Sequence, residues 1–205
     1  MRAIQKGNEP HSFTQHRLTY HAGYDNYDQK DELRASLVAE QRGICCYCMQ
    51  RIRPQAGRMK IEHWHCQELH PREQLNYANL LGACLGNEGQ PQKEQHCDTR
   101  KGNAALSRNP ANPDDPIEVL VHYLGNGWIA SSDPQFEREL NEVLNLNLPF
   151  LVNNRKAVLD GFMRSLPPGT LSKAVWQKKL KEWSEAQEPR EYCGVVIYWL
   201  RKKLR

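Results

Sequence analysis

No apolar run in this sequence approaches the roughly 20 residues that a membrane-spanning helix needs, and mean hydropathy is −0.78. The opening "MRAIQKGNEPHSF" has no apolar core of the kind a secretory leader carries. Both absences lead to the expectation of a cytoplasmic protein with no membrane partner. No internal repeat or low-complexity stretch stands out, which excludes a solenoid or a disordered tail. Charge of one sign is also scarce: the net charge is +4, a mild excess that permits nucleic-acid binding without demanding it. An even cysteine count is missing too. Seven cysteines argue against a disulfide framework.

What the chain does have is a concentration of thiols. Cysteines fall at 45, 46, 48, 66, 84, 97 and 193, so six of the seven lie within residues 45–97. In a reducing compartment such clustering points to metal ligands. Cys45-x-x-Cys48 is a tight turn that aims two thiolates at one point, and a second pair is needed to close a tetrahedral site. Cys84, in "LLGACLGN", and Cys97, in "EQHCDTRKGN", supply it. The expectation is a structural Zn2+ held by Cys45, Cys48, Cys84 and Cys97, with free buried thiols as the alternative. Cys46 could replace Cys45, but less comfortably. Cys66 and Cys193 read as packed core thiols. Residues 44–108 hold few long apolar runs and cannot build a large core, so a metal staple is the natural remedy.

The predicted organisation is α+β in three parts: residues 1–43, 44–108 and 109–205. Residues 1–25 show no period. "NYDQKDELRASLVAEQRG" reads as a helix with Asn26 or Asp28 as cap, Leu33, Leu37 and Val38 as apolar stripe, and Gly43 as stop. Alternation of Ile117, Val119, Val121 and Tyr123, followed by "GNG", predicts a β-hairpin. The remainder looks helical. Asp133 and Pro134 start one helix, residues 150–165 form another, "PPG" at 167–169 is a break, and two more helices follow. Trp176, Trp183 and Trp199 sit at core positions of these helices, and "RKKLR" reads as a solvated helix end.

Three segments, "IEHW" (61–64), "YANLLGAC" (77–84) and "HCDTRKGN" (96–103), resemble in order and type the HNH endonuclease motif. With the lead-in "LRASLVAEQRGICCYCMQRI" and the tail "NEVLNLNLPFLVNNRKAVLDGF", the pattern is similar to the HNH subunit of Septu-type anti-phage defence systems (PtuB-like, also found with some retrons). The resemblance covers roughly residues 28–165. It implies a ββα-metal core, with His63 ending one strand and the third motif residue opening the helix. It further implies an ABC-type ATPase as partner of the α-helical C-terminal region.

The roles that follow belong to phosphodiester hydrolysis. His63 is the expected general base, since a neutral imidazole with an ordinary pKa of about 6.5 can take a proton from water. Asn79 matches the middle motif residue, whose amide would hold His63 and fix its tautomer. Asp98 stands in the third motif position, where many relatives have His or Asn. Its carboxylate suits Mg2+ or Mn2+, with Glu62 as the second ligand. Lys101 and Arg100 would contact phosphate. His96 is the alternative to Asp98 as metal ligand, or a further phosphate contact; His65 reads first as an ordinary, partly exposed histidine, with a substrate contact as the alternative. On a straight strand Glu62 and His63 would face opposite ways, so they can serve one site only if the strand ends there. The rival reading is a non-catalytic, zinc-stabilised module that binds nucleic acid or protein.

Overall fold

Leu33 and Leu37, one helical turn apart, are fully buried, and removing two such side chains from water contributes about 1.5–3 kcal/mol each. They fix the orientation of the helix that leads into the cysteine-rich segment. In the structure, a computed structural model that describes residues 1–205, this helix is α2 (Lys30–Glu40). It follows α1 (His11–Arg17), a helix of which the polar first 25 residues give no sign. Phe13 is the sole buried residue of α1; it packs edge-on to Tyr27 at 5.1 Å and tilts against Tyr77. The expected caps of α2 are not used: Gln29 precedes the helix without a side-chain cap, and Asn26 instead accepts from the Gly23 amide. Gly43 does close it, at φ +74°, its amide donating to Val38 O.

The fold is α+β, with eight α-helices and two separate two-stranded sheets. In the first sheet β1 (Lys60–His63) pairs antiparallel with β2 (Leu80–Ala83), His63 opposite Leu80 and Lys60 opposite Ala83. The side chain of Gln41, beyond α2, imitates a third strand. Its amide nitrogen donates to Gly82 O at 2.7 Å while its oxygen accepts the Gly82 amide at 2.6 Å. Downstream lies α3 (Cys97–Lys101).

Gly86 lets the end of β2 meet the start of α3. It adopts φ +57°, and a Cβ there would fall 2.2 Å from His96 O; its carbonyl accepts the His96 amide at 3.0 Å. Gly86→Ala therefore combines left-handed strain with a backbone clash. It is expected to cost on the order of 3 kcal/mol, a fall of roughly 5–10 °C in the thermal midpoint of a chain this size.

The expected hairpin after residue 116 is present but shorter. Ile117–Leu120 form a helical turn, α4, and only Val121–Tyr123 (β3) pair with Ile129–Ser131 (β4). Pro116 fixes the backbone at the entry, and Val119, placed inward by the alternation pattern, is 73% exposed. The helical remainder follows the sequence expectation closely. α5 (Pro134–Arg138) is capped by Asp133, whose carboxylate accepts from the Gln135 and Phe136 amides, and it runs on as a wider π-helical turn, Glu139–Val143. Then come α6 (Pro149–Arg164), α7 (Lys173–Glu185) and α8 (Gly194–Leu204). Trp199 stands edge-on to Trp176 and Phe162, and Phe162 edge-on to Trp183, so the tryptophans lock α6, α7 and α8 together.

One core of 27 buried residues draws on Cys45–Cys48, Leu81–Cys84 and the helices down to Leu200. The C-terminal half also grips the site directly. The Cys97 amide donates to Leu144 O at 2.9 Å, and Asn145 donates to the carbonyls of Lys93 and Gln95. The amide of Tyr192 donates to Met49 O at 3.0 Å, and Cys193 and Ile197 pack with Ile44 and Met49. Cys193 is core, as expected, and so is Cys66.

Candidate functional site

Four thiols meet where the residue 45–48 turn, the end of β2 and the start of α3 converge. Cys45, Cys48, Cys84 and Cys97 are all buried, and their sulfurs lie within 4.8 Å of one another. Cys45 Sγ is 3.9 Å from Cys97 Sγ and Cys48 Sγ is 3.6 Å from Cys84 Sγ. Disulfide sulfurs stand about 2 Å apart, so these are not bonded pairs. The edge of a tetrahedron with Zn–S arms of about 2.3 Å is about 3.8 Å, and the four sulfurs match it. This four-cysteine cluster could hold a metal ion such as zinc.

Electrostatics point the same way. Burial opposes ionising Cys45, yet hydrogen bonds from Cys46, Cys48, Cys84 and Cys97 hold its thiol well below the ordinary range. Burial first, and then the hydrogen bond with Cys45, push Cys48 and Cys97 well up. Cys46 is not one of the four clustered sulfurs, and its thiol is pushed well up, chiefly by burial.

His96 belongs to this cluster. It is 1% exposed, with Nδ1 3.1 Å from Cys97 Sγ and 3.9 Å from Cys84 Sγ, and its ring lies against Phe150. Burial lowers its pKa. That corrects the expectation of a phosphate or catalytic-metal contact, because a buried imidazole is out of a substrate's reach and can steady a thiolate instead.

On the other side of β1, His63 is the last strand residue and Glu62 the one before it, paired with Leu80 and Leu81 of β2. His63 Nε2 lies 3.1 Å from the carbonyl oxygen of Gln74. Since a carbonyl only accepts, Nε2 carries the proton and Nδ1 is left as the acceptor nitrogen. Tyr24 stands edge-on to the ring at 4.4 Å, and burial lowers the His63 pKa, which keeps the imidazole neutral.

The residue that fixes the tautomer is thus Gln74, through its backbone. Asn79, expected from the sequence to do so, has another task. Its side chain accepts the His65 amide at 2.7 Å and donates to the carbonyls of His65, at 3.0 Å, and Glu73, at 3.4 Å. It binds the two ends of the loop between β1 and β2. Sequence reasoning misses Gln74 and Tyr24, since neither residue type nor spacing marks a backbone carbonyl or a ring edge as functional.

Glu62 is 2% exposed. Tyr47 donates to its Oε1 at 2.7 Å, and Lys101 Nζ lies 3.0 Å from the same oxygen. Burial, then the charge of Asp98 and a hydrogen bond shared with it, push the Glu62 carboxyl well above its usual range, against the pull of Lys101. Asp98 stays partly exposed, 4.0 Å from Lys60. Two carboxyls thus lie close together at this end of β1, one buried and one partly open to solvent.

Lys101 departs furthest from expectation. The sequence places it at the substrate phosphate, but its side chain is fully buried and also donates to His63 O at 3.1 Å. Its ammonium offsets Glu62 and holds the end of β1. Lys101→Met removes a buried partner of Glu62 and the hydrogen bond to His63 O, and is expected to cost about 1–3 kcal/mol, read as a lower unfolding midpoint. Arg100 does lie at the surface, but its guanidinium is tied to the carbonyls of Gln92, at 3.0 Å, and Glu142, at 3.4 Å.

Comparison with protein-family models and with curated proteins finds no match for this chain. No helix of the structure is long and apolar enough to cross a membrane.

Proposed function

We propose that β1, β2 and α3 form the ββα-metal core of an HNH-type endonuclease that hydrolyses phosphodiester bonds in DNA or RNA. The observation that carries this reading is the orientation of His63: Nε2 is committed to the Gln74 carbonyl while Glu62 and Asp98 crowd the same end of β1. In this reading Nδ1 of His63 takes a proton from a water as its oxygen attacks phosphorus and the P–O bond to the leaving group breaks. Asp98 and Glu62 would hold Mg2+ or Mn2+. When bound, that ion supplies positive charge against the phosphate oxygens in the transition state. The four-cysteine cluster, as a zinc site, anchors Cys97 and with it the neighbouring Asp98. Arg100 remains a candidate phosphate contact once released from its carbonyls.

The sequence pattern extends the proposal to the effector nuclease of an anti-phage defence system. Its C-terminal helices would dock on an ABC-type ATPase, in the cytoplasm. That part rests on the resemblance alone.

Lys101 supports a second reading, a zinc-stabilised binding module without catalysis, because its ammonium already pairs with Glu62. One experiment separates the two. The purified protein, alone and with a co-expressed ATPase, is incubated with DNA and with RNA in Mg2+, in Mn2+, and after chelation. Cleavage that depends on the divalent ion supports the nuclease. Bound zinc with no cleavage in any arm supports the binding module.

A further inference from the structure

The loop between β1 and β2 carries a second group of metal-binding side chains, separate from both the thiols and the Glu62–Asp98 pair. His65, His70 and Glu73 each present one donor atom, all within 4.8 Å of one another. His65 Nδ1 is 2.7 Å from Glu73 Oε2, and the rings of His65 and His70 stack at 4.6 Å and 23°. All three are partly exposed, so an ion can reach them and water can complete its coordination.

We propose that His65, His70 and Glu73 form a binding site for a transition-metal ion of the Zn2+ class, open to an exogenous ligand. Two imidazoles and one carboxylate are the donor set of open zinc sites, whereas Mg2+ and Ca2+ prefer all-oxygen surroundings. With arms of about 2.0–2.1 Å, donor atoms around a tetrahedral ion stand about 3.3 Å apart. Closing the set therefore moves no donor pair by more than about 1.5 Å, and the ion takes the place of the hydrogen bond between His65 and Glu73.

The backbone is already arranged for it. The His70 amide donates to Cys66 O and the Glu73 amide to His70 O, both at 2.9 Å, which sets two successive turns. The Asn79 side chain clamps residues 65 and 73 together. Glu73 directly precedes Gln74, whose carbonyl orients His63, so an ion here stiffens the segment that aims the His63 ring. The site stands or falls independently of whether that ring cleaves nucleic acid.

The test titrates Co2+ into the full zinc-loaded chain carrying Asp98→Asn, which removes the other divalent candidate. The readouts are the visible absorption of bound cobalt and its paramagnetic effect on the His70 ring protons. One equivalent should bind, with no thiolate charge-transfer band and with broadened His70 signals. Adding His70→Ala or Glu73→Gln should weaken binding at least tenfold while zinc content and the unfolding midpoint hold. Glu73→Gln covers the case in which His70→Ala fails to fold. No binding to the Asp98→Asn chain, or equal binding after His70→Ala and after Glu73→Gln, overturns the proposal.

Discussion

His63→Ala is expected to lower divalent-dependent phosphodiester hydrolysis by about 10²- to 10⁴-fold, the usual span for loss of a general base. The fold should survive, because the ring makes one hydrogen bond to a carbonyl and one edge contact with Tyr24. The loss belongs in kcat rather than KM, since a base acts in the transition state and adds little to substrate binding. Cleavage of a labelled duplex and a labelled single strand, followed alongside zinc content and thermal midpoint, makes the check. A variant that folds, keeps its zinc and cleaves at the wild-type rate removes His63 from the mechanism.

The other large effect concerns stability. Stripping zinc from the four-cysteine cluster, or substituting Cys84→Ser, should unfold the first half of the chain. Structural zinc contributes about 10–16 kcal/mol of apparent binding free energy in small domains, as much as the whole stability of an ordinary domain. Here the ion would join a turn, a strand end and a helix start at one point inside the main core. Near-UV circular dichroism during titration with a strong chelator should show one cooperative loss as zinc leaves. An unchanged spectrum and midpoint in the zinc-free protein would mean that packing alone holds these segments.

Much of this is legible in the residues. The four zinc candidates stand out because thiols are rare and their spacing is distinctive, and all four meet in space. Asp133 and Pro134 mark a helix start by local chemistry, which tertiary structure has no reason to override. Illegible features depend on what faces a residue across space. Lys101 looks like a surface cation until Glu62 and the His63 carbonyl are known to surround it. His96 looks like a catalytic ligand until two thiols are found beside it. α1 carries a single buried apolar residue, so it has no period to read, and its place is fixed by Tyr27 and Tyr77 far along the chain. His70 and Glu73 join His65 only through turns that Asn79 closes.

The hydrogen bond from Tyr192 to Met49, with Cys193 and Ile197 packed over the residue 45–48 turn, sets an order of events during synthesis. The metal-binding turn cannot receive its cover until residues past 190 have been made. At about 5–20 residues per second, the stretch from Met49 to Tyr192 takes on the order of 10 s on the ribosome. Through that interval Ile44 and Met49, which flank the Cys45–Cys48 turn, lack the apolar partners that α8 brings, so the turn is less covered than in the finished fold.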